Sequence, residues 1–149
     1  MPYNRFEKAI EWFALKTKMN VNHQSGRGHF FLKGTIVNVF FGENVGYEKS
    51  GQRPALIVST DNINRNSGNV IVVPLTKIDN KRGKPLLHTQ YVLKKSKYKL
   101  TFDSVIQCED VRCVSKERLG SILDKIDKYC PISCSLPVLI VVRILITLL

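Results

Sequence analysis

The feature that most constrains this fold is a series of short apolar segments separated by turn residues. After Gly34 the pattern takes a period of two, with Thr35, Val37, Val39 and Phe41 on one side of a strand. The segments show no βαβ rhythm, so they predict a small antiparallel barrel or a strongly bent sheet. Strands are predicted at residues 35–41, 55–59, 70–75, 88–93 and 104–109.

The third predicted strand, 70–75, is almost wholly apolar, which indicates burial on both faces. Pro74 lies inside it and indicates a sheet edge or a bulge, because proline cannot donate to a ladder. Residues 60–68 are rich in Asn, Asp and Ser, which predicts a long turn. Residues 119–126 fit helical spacing, but a strand over 120–124 is also possible, and periodicity does not separate the two.

The N-terminal segment, residues 4–19, predicts an amphipathic helix. Asn4 with Glu7 three residues later resembles a capping box. Such a helix either covers one side of the core or docks against a partner. The next residues, 20–28, are polar and contain Ser-Gly-Arg-Gly, which predicts a linker. The apolar positions at helical spacing are Phe6, Ala9, Ile10, Phe13 and Ala14.

The net charge of +11 on 149 residues limits the class of partner. An excess of this size favours RNA, DNA, an acidic protein or an anionic lipid surface. The densest positive run is Lys-Lys-Ser-Lys-Tyr-Lys at 94–99. It is interpreted either as a solvated hairpin turn or as a rim that attracts phosphates without sequence preference.

The cysteines and histidines do not form a metal-binding pattern. Four cysteines, at 108, 113, 130 and 134, contain no CxxC pair, and the histidines lie far from them in sequence. A zinc site is therefore not expected, and we expect no other metal or cofactor. Residues 1–19 carry many charges and do not resemble a signal peptide, so reduced cysteines in the cytoplasm are expected.

The end of the sequence, residues 136–149, is unusually apolar. It is shorter than the roughly 20 residues that span a bilayer, and Arg143 lies in its middle, so a membrane segment is not expected. The segment is interpreted as a final buried strand or helix, or as a frame-shifted end. The expected organisation is an N-terminal helix and linker (1–32), a barrel domain (33–128) and an apolar tail (129–149).

The strongest functional candidate is Arg53, where a polar loop meets a strand. Residues 46–52 are polar and contain glycine, whereas the residues after Pro54 are apolar. Pro54 fits the first position of a strand because it cannot donate a backbone hydrogen bond. A guanidinium held at such a junction can bind a phosphate through paired donors. The alternative is that Arg53 is an ordinary surface charge.

Three segments of the chain carry a family resemblance. The first is 46–58, with its Gly-Gln-Arg-Pro turn, and the second is the strand 70–76, which ends on threonine. The third is 103–119, which contains Asp-Ser-Val-Ile-Gln-Cys-Glu-Asp-Val-Arg and Lys-Glu-Arg-Leu. In order and spacing they resemble the MazF/PemK toxin family of bacterial endoribonucleases, and the resemblance covers about 33–127.

The resemblance implies a mainly β fold with short helices, a small SH3-like barrel that forms homodimers, here with an added N-terminal helix. It also implies the toxin of a type II toxin–antitoxin system. Such a toxin is a metal-independent, sequence-specific endoribonuclease that cleaves single-stranded RNA, usually mRNA. Its cognate antitoxin combines a DNA-binding domain with an acidic disordered segment that occupies the RNA groove. For 120–124 the family favours a strand.

The resemblance also points to site residues. Arg53 matches the family's loop arginine and Thr76 its strand-end threonine, so these two are the expected catalytic residues. Tyr47 is suited to stacking on a base. His88 is a rival for proton transfer, because imidazole titrates near neutral pH. The expected RNA-binding residues are Tyr47, Glu48, Lys49, Gln52, Lys77 and His88.

The chemistry that the resemblance implies is an internal transesterification of RNA. The 2′-hydroxyl attacks the adjacent phosphorus and leaves a 2′,3′-cyclic phosphate and a 5′-hydroxyl. Arg53 suits the charge that develops, because its guanidinium is always protonated and its donors are forked. An unperturbed hydroxyl is a poor general base, so Thr76 is expected to relay or orient a proton.

The chain departs from the family at Asp110, where glutamine is usual, and at Cys113, where threonine is usual. Two alternative functions use the same fold: a non-catalytic CcdB-like toxin that binds DNA gyrase, and a nucleic-acid-binding barrel without turnover. The CcdB-like toxin would need neither Arg53 nor Thr76 at these places, so their joint presence favours the nuclease. The second alternative needs exposed aromatics for base stacking, and the sequence shows no such stripe.

Overall fold

Over the residues that the structure describes, the backbone forms one antiparallel sheet with two α-helices beside it. A computed structural model describes residues 2–21, 30–78, 85, 87 and 89–126. The elements are α1 (Pro2–Val21), β1 (Thr35–Phe40), β2 (Gln52–Ile57), α2 (Asp61–Asn66), β3 (Asn69–Lys77), β4 (Gln90–Leu93), β5 (Ser104–Gln107), β6 (Arg112–Ser115) and β7 (Leu119–Lys125). Two short 3₁₀ turns, Cys108–Asp110 and Lys116–Arg118, flank β6.

Strand β3 is the centre of the sheet. The strands lie in the order β4-β5-β3-β2-β1-β7, and β6 pairs with β3 off this path. One edge of β3 pairs with β2. The other edge pairs first with β6, over 69–72, and then with β5, over 75–77. All of these ladders are antiparallel, as predicted, and the change of partner along β3 bends the sheet.

Pro74 marks the place where β3 changes partner. The residue pairs with Ala55 of β2, and it lies between the stretch that pairs with β6 and the stretch that pairs with β5. The prediction of a sheet edge at Pro74 is therefore wrong for the strand as a whole. Proline is accommodated in this central strand because one of its two ladders is interrupted there.

The side chains of β1, β2 and β3 alternate between two buried clusters. The Leu56 cluster contains Ile36, Leu56, Val73, Leu75, Leu93 and Ile106. The Val39 cluster contains Val37, Val39, Phe41, Ala55, Ile57, Val70, Val72 and Val114. Because both faces of β3 are covered, its sequence is an apolar run rather than an alternation, which confirms the predicted burial.

Two segments differ from their predictions, and a third resolves an alternative that the sequence left open. The predicted turn at 60–68 contains helix α2, which is capped by Thr60 accepting a hydrogen bond from the Ile63 N–H. Strand β6 was not predicted. The ambiguous segment is strand β7, so the helical spacing of its apolar residues was misleading.

Helix α1 forms as predicted but presents a different face to the sheet. The predicted apolar face is exposed, with Phe6, Ile10 and Phe13 at 67%, 54% and 71% of their full accessibility. Trp12 is half-buried instead, and its indole lies against Gly42 so closely that any side chain at position 42 would overlap it. Tertiary contact with the β1–β2 hairpin therefore decides the orientation of α1.

Several predictions fall on residues that the structure does not describe. The apolar tail at 136–149 and His88 lie outside the described residues, as does most of the linker at 20–28. Neither helix within the described ranges is long and apolar enough to cross a membrane.

We expect Asn64→Ala to destabilise the fold by about 1–3 kcal/mol, because it leaves buried partners without hydrogen bonds. Asn64 is fully buried, its Nδ2 donates to the Ser59 carbonyl at 3.1 Å, and its Oδ1 accepts from the Ser59 hydroxyl. Urea unfolding measures the change. The control is Asn66→Ala on the same helix, whose side chain is exposed. Equal effects of the two variants would contradict this account.

We expect iodoacetamide to alkylate Cys113 far faster than Cys108 in the folded protein at pH 8. Burial, aided by the Glu109 carboxylate, raises the pKa of the Cys108 thiol to about 11, and the thiolate is the reacting form. Cys113 is exposed. Peptide mass spectrometry measures both rates. In urea the two rates should converge, and comparable rates in the folded protein would refute the burial of Cys108.

Candidate functional site

The β1–β2 loop (residues 42–51) has a stem closed by backbone hydrogen bonds. The Gly51 N–H donates to the Gly42 carbonyl at 2.7 Å, and the Phe41 N–H donates to the Gly51 carbonyl at 2.9 Å. Gly42 and Gly51 have φ values of 85° and 73°, which favour glycine because it lacks a Cβ. The stem therefore holds both ends of the loop together where β1 ends and β2 begins.

Asn44 organises the interior of this loop. Its Nδ2 donates to the Lys49 carbonyl at 2.6 Å and to the Phe41 carbonyl at 3.4 Å, and its N–H donates to the Ser50 hydroxyl at 3.3 Å. Asn44 was not among the predicted site residues. Its residue type is a signal for such a role, because asparagine is a turn residue whose side chain often bonds nearby backbone.

Arg53 is held by the loop that precedes it. Its Nε and Nη2 both donate to the Ser50 carbonyl, at 3.1 and 2.7 Å. The remaining N–H groups of this guanidinium have no hydrogen-bond partner in the described part of the chain. The side chain is half-buried, so the guanidinium has a fixed position and keeps donors for a ligand.

The electrostatic surroundings of Arg53 combine burial with charges of both signs. Desolvation lowers the pKa of its guanidinium, the Asp110 carboxylate opposes this shift, and the positive charge of Arg112 adds to it. Arginine nevertheless stays protonated at any physiological pH. The site therefore carries a permanent positive charge that has lost part of its hydration, which is a favourable environment for an anion.

Strand register relates Arg53 to Thr76. The β2–β3 ladder ends at the pair Ala55–Pro74. Arg53 lies two residues before Ala55 on β2, and Thr76 lies two residues after Pro74 on β3. Side chains two residues apart on a strand point the same way. Arg53 thus shares a side of the sheet with Ala55, and Thr76 with Val72, and both of these belong to the Val39 cluster. The two expected catalytic residues fall on one side of the sheet.

Two further arginines extend the positive charge from Arg53. The Arg112 guanidinium lies 5.6 Å from the centre of the Phe41 ring. Arg118 donates to the Phe41 carbonyl at 3.0 Å. Burial lowers the pKa of Arg118, and the charge of Arg112 adds to the decrease. We call Arg53, Arg112 and Arg118 the guanidinium row; the last two were not among the expected site residues, although both lie in the third motif.

Asp110 places a carboxylate beside the guanidinium row. Its Oδ2 lies 3.4 Å from the Lys49 Nζ, and both side chains are partly exposed. The ion pair connects the β1–β2 loop to the 3₁₀ turn after β5. Asp110, one of the two departures from the family pattern, therefore lies beside two of the expected site residues, Lys49 and Arg53.

The other expected RNA-binding residues are less closely connected to Arg53. Tyr47, Glu48 and Gln52 are exposed, and the Tyr47 side chain projects fully into solvent. Lys77 is exposed at the end of β3, and its Nζ lies 4.3 Å from the centre of the Phe102 ring. Alternation along β3 points Lys77 to the opposite side from Thr76. The position of His88 is not described.

The positive run at 94–99 forms the turn between β4 and β5, at a distance from these loop residues in the strand order. Asp103 fixes this turn, because its carboxylate accepts from the Lys95 N–H at 2.9 Å and from the Lys94 Nζ at 3.0 Å. These hydrogen bonds lower the pKa of Asp103, the backbone bond contributing most. Lys94, Lys95, Lys97 and Lys99 are all exposed, as expected for a solvated hairpin turn.

No group of three or more metal-binding side chains occurs among the described residues. The chemistry available at the site is that of the side chains themselves: permanent cations at the guanidinium row, a hydroxyl at Thr76, and a carboxylate at Asp110. Together they can hold an anionic group and donate hydrogen bonds to it.

Comparison with known proteins places these features in a family. The family model described as "PemK-like, MazF-like toxin of type II toxin-antitoxin system" matches residues 32–130. The chain is 43% identical over 74 residues to an endoribonuclease MazF from Staphylococcus saprophyticus subsp. saprophyticus, a match that covers 50% of this chain. The chain spans 59% of the length of that relative.

Solved structures show the same fold. A mycobacterial endoribonuclease in complex with its cognate antitoxin is 20% identical with a TM-score of 0.56, covering 76% of this chain and 95% of that one. MazF from Deinococcus radiodurans is 20% identical with a TM-score of 0.54, covering 77% and 91%. The expected fold class, a mainly β MazF-type barrel with an added N-terminal helix, is confirmed. With most of its length matched by the family model, the chain belongs to the PemK-like, MazF-like toxins of type II toxin–antitoxin systems.

Proposed function

We propose that this protein is a toxin that cleaves single-stranded RNA endonucleolytically in the cytoplasm, at short sequence motifs and without a metal ion. One observation carries the proposal: the Arg53 guanidinium is anchored on the Ser50 carbonyl, retains donors, and shares a side of the sheet with Thr76. This arrangement supports binding of a phosphodiester between the two side chains.

The proposed reaction uses the nucleophile that RNA itself carries. The 2′-oxygen forms a bond to phosphorus while the bond from phosphorus to the 5′-oxygen breaks. The 2′-hydroxyl loses a proton and the departing 5′-oxygen gains one. The products are a 2′,3′-cyclic phosphate and a 5′-hydroxyl, so no water is consumed in this step.

Arg53 is assigned to the non-bridging phosphate oxygens. Negative charge grows on these oxygens in the transition state, and a fixed donor that needs no reorganisation stabilises it. Partial burial strengthens the attraction, since screening by water is weaker there. A group of this kind contributes on the order of 3 kcal/mol to lowering the barrier. Arg112, the neighbour of Arg53 in the guanidinium row, adds positive potential.

Thr76 is assigned a relay or positioning role. Its hydroxyl can donate and accept a hydrogen bond at once, which suits passing a proton between substrate and solvent. The hydroxyl is a poor proton acceptor at neutral pH, so we do not assign it as the sole base. Its place on the same side of the sheet as Arg53 supports contact with the 2′-oxygen of a nucleotide bound on the guanidinium.

The exposed residues of the β1–β2 loop are assigned to RNA recognition. Single-stranded RNA is recognised by stacking and by hydrogen bonds to unstacked bases. Tyr47 offers an exposed ring for stacking. Gln52 and Glu48 offer hydrogen bonds to base edges, and Lys49 is assigned to a phosphate. Lys77 and His88 remain candidates for contacts further along the strand.

The proposed protein partners are a cognate antitoxin and a second copy of the chain. A net charge of +11 favours an acidic antitoxin segment, which would compete with RNA for the guanidinium row. The antitoxin complex among the solved relatives supports this partner. The homodimer is proposed from the family resemblance.

We expect purified protein to cleave single-stranded RNA in EDTA and leave cyclic-phosphate ends. Arg53→Ala should lower kcat on the order of 10²- to 10³-fold, because it removes the charge-stabilising donors. Arg53→Lys should retain an intermediate rate, since it keeps the charge but loses the fork. Mass spectrometry of the fragments and single-turnover rates measure these effects.

The control for that experiment is Arg65→Ala. Arg65 lies on α2, with its guanidinium over the Phe30 ring at 4.9 Å, away from the loop. Its loss should leave the rate unchanged within about twofold. Growth arrest by the parent without RNA cleavage would instead favour the CcdB-like alternative, and an unchanged rate for a folded Arg53→Ala variant would remove Arg53 from the mechanism.

We expect Asp110→Asn to bind single-stranded RNA about two- to tenfold more tightly, because a carboxylate near Arg53 repels phosphate and engages Lys49. Fluorescence anisotropy with a 2′-O-methyl oligonucleotide measures binding without cleavage. The gain should shrink as salt is raised. Glu7→Gln on α1, which changes the net charge by the same amount, should leave the affinity for RNA unchanged. Equal gains in affinity for the two variants would mean that only the total charge of the protein matters.

A further inference from the structure

Helix α1 packs against the β1–β2 hairpin. A cavity of about 310 Å³ lies between them, lined by Trp12 and Leu15 of the helix and by Phe40, Gly51 and Gln52 of the hairpin. These hairpin residues form or adjoin the stem of the β1–β2 loop. The extra helix thus lies against the stem and not over the tip of the loop.

Trp12 is the side chain that makes this contact close. Its indole lies against Gly42, where the lack of a Cβ permits the approach. The Arg118 guanidinium lies 5.1 Å from the centre of the indole and donates to the Phe41 carbonyl at 3.0 Å. Trp12 is therefore packed against both the first residue of the stem and a member of the guanidinium row.

A short series of contacts leads from the indole to Arg53. Gly42 accepts the hydrogen bond from Gly51 that closes the stem. Ser50, the next residue back along the loop, provides the carbonyl that accepts both hydrogen bonds from Arg53. A shift of the stem would move that carbonyl and turn the guanidinium, whose remaining donors would then point elsewhere.

We propose that Trp12 is a positioning residue for the candidate active site: it holds the stem of the β1–β2 loop and, through the Ser50 carbonyl, fixes the direction of the Arg53 guanidinium. This inference rests on the proposed function for its effect on catalysis. The contact with the stem itself is independent of that function, so it can be measured in a protein that cleaves nothing.

The next residue on α1 provides a matched control for Trp12. Phe13 is the next residue on the same helix, but its ring is 71% exposed and faces away from the sheet. Removing either ring deletes an aromatic side chain from α1. Only Trp12→Ala deletes a contact with the loop stem. Trp12→Phe keeps an aromatic ring against Gly42 and serves as the conservative rescue.

The first measurement is hydrogen–deuterium exchange of the peptide that contains Gly42, Gly51 and Arg53. Trp12→Ala should raise exchange at the stem amides at least severalfold, whereas Phe13→Ala should not. Trp12→Phe should restore most of the protection. Unchanged exchange in Trp12→Ala, or an equal rise in Phe13→Ala, would overturn the proposal whether or not the protein cleaves RNA.

The second measurement is single-turnover and steady-state cleavage of a single-stranded RNA. Misplacing a catalytic group by about 1 Å costs up to 10²-fold in rate, so Trp12→Ala should lower kcat by roughly 10- to 100-fold with little change in KM. In an Arg53→Lys background the same substitution should have an effect of less than about twofold, because the two residues act as a unit.

The two measurements separate the possible failures. If the parent protein shows no cleavage, the proposed function is refuted. The exchange data then test only the contact between Trp12 and the loop stem. A parent that cleaves, with a Trp12→Ala variant that keeps its kcat within about twofold, overturns the positioning role. A full effect of Trp12→Ala in the Arg53→Lys background would also overturn it, since the effect would not pass through Arg53.

Discussion

The structure depends on the backbone hydrogen bonds of β3, which are made along both of its edges. This nine-residue strand pairs with β2 on one edge and with β6 and then β5 on the other. It separates the Leu56 cluster from the Val39 cluster, so its side chains contribute to both. Thr76 pairs with Val105 of β5, one residue before the end of β3, where the strand passes from buried to exposed residues. The central strand thereby brings a hydroxyl to the surface at a fixed position.

The guanidinium row combines positive charges that repel one another and that are partly removed from water. Fixed acceptors offset this cost: the Ser50 carbonyl for Arg53, the Phe41 carbonyl for Arg118, and aromatic faces for Arg112 and Arg118. An anion that bridges the row would offset it further. By the same argument, an RNA phosphate and an acidic segment of the proposed antitoxin would compete for one surface, and the Asp110 carboxylate would weaken the binding of both.

Features of the fold that depend on neighbouring residues, such as strand alternation, were predicted from the sequence. Features that depend on tertiary contacts were not. Alternation predicted β1. Pro54 predicted a strand that begins at Pro54, whereas β2 begins at Gln52 and pairs both Arg53 and Pro54 with β1. Helix α2 was missed because its Asn-rich sequence favours a turn, and it is held by a buried side chain, Asn64. The face that α1 presents to the sheet did not follow from helical periodicity, because it is set by the close contact of Trp12 with Gly42.

The placement of Trp12 makes its intrinsic fluorescence a probe of the loop stem. Its indole is the only one in the sequence, so ultraviolet-excited emission at long wavelength comes from this ring. Because the ring lies between the loop stem and the Arg118 guanidinium, we expect its quantum yield to respond to charge and hydration beside the stem. Binding of a polyanion at the guanidinium row, as proposed, would then be measurable in real time on the unlabelled protein.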